Sequence, residues 1–507
     1  MIKNLSFRLM TVLLLAAMPT AAIAQRGSKV AVERDPVPMP VVSSDTLIKH
    51  VMELSSETYR GRLAGSDGFA QAADYAGRVL ASYGLKPVPA PLFDVECNEV
   101  ENCKFNVYLP GTKVKRVFTL GNEFCCAGMT GRGYVDAQMV FCGYGVDNGL
   151  FDEYRHVDVK GKIDVVLTSV PDWLPASVAD RYRTLRDKAR TAERHGAIGM
   201  LAINVSTSCM PNEPQGRVYC GELPHLGTFP ILQLTLDCGR ELMDGEKQPL
   251  DYSIDQLATE HKVQSFALLK KAEIDVNARY RPQAKTSNVM ALLEGSDLSL
   301  SKEYIVVGAS LDGEGMQGET CLFPGADINA SGVAAVLETA RVLSQPGYRP
   351  KRSVLFVLFS AGEHQYLGSR AFVESFPKLR NVEVFVNVQN IGYGDSVTVL
   401  GDNKYPTLCD VIYGRDSVAG RHDIARSAER TNPRGDARAF DAVGIPSMVV
   451  TTHDGMHYNR VSNDIWENID RRIMTKATQL MAEAVAELGE GLYQGRSLKS
   501  KSARAME

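Results

Sequence analysis

Three short polar stretches interrupt apolar runs in the second half of the chain, and they hold residue types suited to chemistry. Ser310-Leu311-Asp312 follows Tyr304-Ile305-Val306-Val307-Gly308-Ala309, Gly362-Glu363-His364 follows Val354 to Phe359, and Gln389-Asn390 follows Glu383 to Val388. Carboxylates and imidazoles at such points can hold a cation or move a proton. In an open parallel sheet, ligands and catalytic groups gather outside the carboxyl ends of the strands. Other chemistries find little support. Gly313-Glu314-Gly315-Met316-Gln317-Gly318 matches G-x-G-x-x-G. However, Pro324 and a turn-rich stretch intervene before the next helix, whereas a dinucleotide loop opens a helix directly. No G-x-S-x-G elbow is present, which argues against a serine hydrolase.

The elements that would position these residues are legible from periodicity. Tyr304–Ala309, Val354–Phe359, Glu383–Val388 and Ser447–Val450 read as buried strands, with helices from Ala330 to Leu343 and Ile473 to Leu488. Such alternation implies an α/β fold with a mainly parallel mixed sheet and helices on both faces. Upstream, Asp45–Leu54 and Ser66–Tyr83 read as amphipathic helices, the second opening on a capping serine. Residues 105 to 255 change to short β-rich runs such as Gln138–Cys142 and Lys162–Leu167, broken by Gly and Pro. The Arg-rich segment Arg181–Arg194 reads as a solvated helix face.

The chain has 507 residues, 44% hydrophobic and 23% charged, a globular balance that excludes fibrous and largely disordered classes. The formal charge of −4 gives no basic field, so no nucleic-acid partner is expected. Lys3 and Arg8 precede the apolar run Leu9–Met18, and Ala22-Ile23-Ala24 has a small-x-small pattern. Residues 1–24 therefore read as a signal peptide, cut before Gln25, and no transmembrane segment remains after cleavage. The expected location is exported: periplasmic, outer-membrane-associated or secreted. Ten cysteines in an exported chain favour some disulfides, and Cys97 with Cys103 and Cys209 with Cys220 close short loops.

Several ordered segments resemble the M28 family of zinc aminopeptidases, in the subgroup with an inserted protease-associated (PA) domain. Leu54 to Gly65 is similar to the family's opening segment. Phe141-Cys142-Gly143-Tyr144-Gly145-Val146, Asp158-Val159-Lys160-Gly161-Lys162-Ile163 and Ala192-Glu193-Arg194-His195-Gly196-Ala197 resemble PA signatures. Pro324 to Gly332, Leu367-Gly368-Ser369 and Phe440 to Pro446 continue the peptidase likeness. The resemblance implies a zinc-exopeptidase-like sheet interrupted by a β-rich PA domain. The expected organisation is a signal peptide at 1–24, a leader at 25–44 and a first peptidase-like part at 45–104. A PA-like insert at 105–260, a second peptidase-like part at 261–490 and a disordered tail at 491–507 follow.

The family's chemistry uses two zinc ions and an activated water, with two His, a bridging carboxylate, a Glu and an Asp as ligands and a further Glu as base. By resemblance the first His falls on Ser310, the bridging carboxylate on Ile328, the base on Gly362, the ligand Asp on Gln389 and the last His on Asn459. Only the ligand Glu is kept, as Glu363; Asp312, which in the family supports the first His, is also kept. Asp312, Glu363, Asp436 and His457 are then vestigial cleft residues. The expectation is a non-catalytic, M28-like pseudoenzyme with its zinc site lost and no cofactor, binding a peptide or protein partner in the cell envelope. The alternative is an active zinc aminopeptidase with rearranged ligands, including a single-zinc site on Glu363, His457 and Asp312.

Overall fold

The structure is a computed structural model that describes residues 41–149, 151–205, 210, 212–219, 221, 223–426 and 430–493. The expected signal peptide, nearly all of the leader, most of the tail, Cys209 and Cys220 lie outside the described residues.

A seven-stranded mixed sheet forms the first layer system. Its order is Lys86–Val88, Val289–Leu293, Ser353–Phe359, Tyr304–Ser310, Val382–Val388, Ser447–Thr452, Val397–Leu400. The four strands from Ser353–Phe359 to Ser447–Thr452 are mutually parallel, and the three outer ones are antiparallel to their neighbours. All seven residues of Ser353–Phe359 are buried, as are all seven of Val382–Val388. Alternate side chains of a strand point to opposite sides, so burial at every position requires cover on both faces. Phe372 and Phe440, from helices Leu367–Ser375 and Ala437–Ala442, join Phe359 and Phe385 in one apolar cluster, with Phe440 stacked on Phe372 and Phe385 and the Phe359 ring edge-on to the others. Helices Gly332–Leu343 and Arg471–Gly489 supply further cover, and the former is buried at eleven of twelve positions.

The second sheet has eight strands: Lys115–Phe118, Phe93–Tyr108, Phe266–Thr286, Gly133–Phe141, Ile163–Leu167, Gly199–Ile203, Ile231–Leu234, Phe124–Cys126. The long pair Phe93–Tyr108 and Phe266–Thr286 carries the chain into and out of this β-rich region. Sheet pairing thus runs from Phe93 to Thr286, wider than the expected insert of 105–260, because both connecting strands begin pairing outside it.

Two expectations need correction. Cys97 and Cys103 are separate, buried thiols. Both lie on the strand Phe93–Tyr108, where six residues span about 20 Å, beyond the reach of a disulfide. The segment Arg181–Arg194 is not a continuous solvated helix: it breaks after Arg181 and resumes at Leu185. Its later part turns Arg186 and Lys188 inward. Arg186 pairs with Glu96 at 3.0 Å, and the Lys188 ammonium donates to the Tyr144 and Ser169 carbonyls. A cationic pattern alone does not show which face finds such partners.

Candidate functional site

The parallel pairing of Tyr304–Ser310 with Ser353–Phe359 and Val382–Val388 places three polar strand ends side by side. Ser310 Oγ donates to Asp436 Oδ2 at 2.7 Å. Asp436 is 1% exposed, and burial pushes its carboxyl up to about 6 even though Ser310, Ser369 and Asn387 hydrogen-bond it. Asp312, equally buried, accepts from the backbone amides of Gly362 (2.7 Å) and Glu363 (3.1 Å). Burial, together with the nearby Glu363 charge, raises Asp312 to about 7. Asp312 therefore fixes the turn that carries Gly362 and Glu363.

Gly362 sits against Ser310 and Asp312. A Cβ built there would run into Ser310 Oγ and lie 2.7 Å from Ser310 Cβ, so the present packing leaves no room for a side chain. Gln389 turns its carboxamide toward Gly435, the residue before Asp436. Ile328 is 8% exposed and its amide donates to Asp464 Oδ2 at 3.0 Å. The neighbouring Asp327 faces elsewhere: Oδ1 accepts from Gly392 N at 2.6 Å and from Ser331 Oγ at 3.2 Å. Burial and the adjacent Asp464 charge raise Asp327 well above the usual carboxylate range.

Glu363 is engaged by residues that sequence reasoning did not select. Arg460 Nε donates to Glu363 Oε2 at 2.7 Å and lies 2.6 Å from Glu314 Oε1, so one guanidinium bridges two carboxyl groups. Burial and the Glu363 charge raise Glu314, which favours a proton on it. For Glu363, burial is the largest single influence and acts upward, but the Arg460 charge and hydrogen bond, with smaller help from Glu314 and His364, together outweigh it and hold that carboxyl below its ordinary value. Arg460 Nη1 donates to Asn459 Oδ1 at 2.8 Å, which gives Asn459 a supporting place in the same cluster.

The β-rich insert closes onto this cluster. Val218 N donates to Glu314 Oε2 at 2.5 Å, Gly216 N donates to the Arg460 carbonyl at 2.8 Å, and Gln215 bridges to Val461. From the other side, fully buried Arg62 donates to the carbonyls of Leu311 (3.0 Å), Pro324 (2.8 Å) and Gly325 (2.9 Å), tying the loops after two strands together. Gly61, at φ +68°, packs where a side chain would overlap the Gly315 carbonyl.

His457 stands apart from Glu363. It is exposed and stacks on Tyr393, with ring centroids 4.9 Å apart. His364 is 5% exposed, because it follows Glu363 into the interior. Among the described residues, two groups of three side chains lie close enough to share a metal ion: Asp147, Asp152 and His195 in the insert, and Asp395, His453 and Asp454 on the surface. Neither contains Glu363, Asp312 or His457. Arg460 could have been noticed in the sequence as a cation next to the Asn459 ligand position; Glu314, inside the discounted glycine motif, carried no such signal.

Residues 288–485 match the model of peptidase family M28. The fold is that of zinc aminopeptidase BSAP from Bacillus subtilis (TM-score 0.63, 18% identity, 90% of this chain and 96% of that one). It is equally that of a peptidase M28 precursor from Shewanella amazonensis (TM-score 0.63, 18% identity, 90% and 99%). In sequence the chain is similar to human transferrin receptor protein 2, 27% identical over 243 residues, which cover 41% of this chain and 28% of that protein. It is also similar to a Mycobacterium tuberculosis protein named "probable lipoprotein aminopeptidase LpqL", 32% identical over 180 residues, covering 32% and 34%. The matched stretch is about a third or less of the length of these two relatives. Among the described residues no helix is long and apolar enough to cross a membrane.

Proposed function

We propose that this chain, whose residues 288–485 place it among the M28 aminopeptidase-like proteins, is an exported, non-catalytic member that binds a peptide or protein partner. The observation that carries the reading is the Arg460 guanidinium on Glu363 and Glu314. Glu363 is the one carboxylate left at a ligand position, and a side-chain cation already sits on its Oε2. A zinc pair needs several anionic or imidazole donors acting together. Ser310, Ile328, Gln389 and Asn459 supply no such donor, and Gly362 supplies no base. On this reading the donor set does not fit a dinuclear zinc centre, and no hydrolytic step passes through it.

Partner binding is supported by the cleft walls, which persist with their loops tied by Arg62 and Asp312. It is also supported by the likeness to transferrin receptor protein 2, which is named for binding another protein. The PA identity of the insert and its role in contacts belong to the same proposal. The competing reading, a working metalloenzyme, would draw on Glu314 as an added ligand beside Glu363; it requires Arg460 to leave both carboxyls. The test is a defined peptide library incubated with the purified chain, with and without added zinc, and followed by mass spectrometry. Retention of a subset of intact peptides is expected. Zinc-dependent loss of N-terminal residues would overturn the proposal.

A further inference from the structure

Away from the Glu363 cluster, the edge of the seven-stranded sheet encloses a cavity of about 280 Å³. Val88, Met290, Leu292 and Leu355 line it from the strands, and Phe372 and Phe376 close it from the helix Leu367–Ser375 and the turn after it. The cavity shares no lining residue with the cluster around Arg460. Its size is at the small end of ligand sites, and its wall is overwhelmingly apolar.

The polar groups on the wall are few and differ in availability. Asn288 is spent: Nδ2 donates to the Gly368 carbonyl at 2.8 Å and Oδ1 accepts from Ser360 N at 3.0 Å. Lys378 is not spent in that way. Its Nζ donates to Tyr304 Oη at 2.9 Å and stands over the same ring, and among the described residues it makes no ion pair. Glu294, the carboxylate that attracts it from farther off, is itself paired with Lys86 at 2.6 Å. The Lys378 side chain is exposed while Tyr304 is 5% exposed, so the ammonium marks the border between water and the apolar interior.

We infer that this cavity is a binding site for a small amphipathic anion, a linear alkyl carboxylate whose chain fills the apolar wall and whose headgroup meets Lys378 and Tyr304. Burial of the chain supplies the affinity, in proportion to the apolar surface it removes from water. The exposed ammonium at the mouth of the cavity supplies the sign of the headgroup, because an anion there gains a charge-assisted hydrogen bond and a cation is repelled.

Calorimetric titration with decanoate, below its aggregation range, tests the assignment, with decyltrimethylammonium as the opposite-charge probe. Decanoate should bind with one site per chain and roughly tenfold or more tighter than the cation. Lys378→Glu should invert that order. Ser375→Trp, placed at an exposed position of the lining, should weaken both probes at least about tenfold by filling the cavity. Arg460→Met should leave decanoate binding unchanged, which separates this site from the cleft. No decanoate binding, or binding of equal strength to Lys378→Glu and Ser375→Trp, would overturn the inference.

Discussion

Replacing Arg460 by methionine keeps the bulk of the side chain and removes its charge. Glu363 and Glu314 would then lie in a site where their side chains are 12% and 5% exposed with no cation between them. Removing one partner of a buried ion pair costs about 3–5 kcal/mol, most of it from the charge left behind. Arg460 retains 24% of its side-chain surface, which puts the expected loss at the lower end, about 3 kcal/mol. The same vacancy should create affinity for a divalent ion. At a free zinc concentration of about a hundred times Kd, the variant should regain about 2.7 kcal/mol. Urea unfolding followed by circular dichroism, with and without zinc, reads both numbers. If the variant unfolds at the wild-type urea concentration, or if zinc stabilises the wild type as much as the variant, Arg460 is not standing in for a metal ion.

Gly362→Glu should fail to restore hydrolysis and should lower stability by about 1–3 kcal/mol, because its Cβ enters the space of Ser310; aminoacyl p-nitroanilide turnover and urea unfolding check this, and turnover at wild-type stability would contradict it. The raised Asp312 carboxyl gives a pH signature. With the folded value near 7 and the unfolded one near 3.8, the fold favours the protonated form, so this group's contribution is lost as pH rises from acidic values through 7. The stability difference between wild type and Asp312→Asn should therefore shift in favour of wild type by about 2 kcal/mol between pH 7.5 and 5.5. Using this difference cancels the opposing effect of His50, which burial lowers to about 4. A pH-independent difference would refute the assignment.

Much of the frame was legible because buried strands announce themselves as unbroken apolar runs. Tyr304–Ser310, Ser353–Phe359 and Val382–Val388 stand within a residue or so of their expected limits, and their parallel pairing brings Ser310, Asp312, Gly362 and Glu363 together. The pairing of Arg460 with Glu363 was illegible for a physical reason. Arg460 lies in an aperiodic turn at φ +60°, 97 residues from Glu363, and local pattern does not encode such a reach. Glu314 depends likewise on the insert, since Val218 N holds it. Lys188 and the Cys97–Cys103 pair show two further limits: a cation can be buried when carbonyls converge on it, and nearness in sequence along a strand is distance in space.

The most direct measurement is metal content together with turnover, made on a chain carrying His195→Ala and His453→Ala so that the two peripheral carboxylate–imidazole groups cannot bind zinc in place of the cleft. After purification in zinc-supplemented buffer and gel filtration, well under one zinc per chain and no release of p-nitroaniline from leucine p-nitroanilide are expected. About two zinc ions per chain, with hydrolysis abolished by Glu363→Ala, would contradict the reading of the cleft.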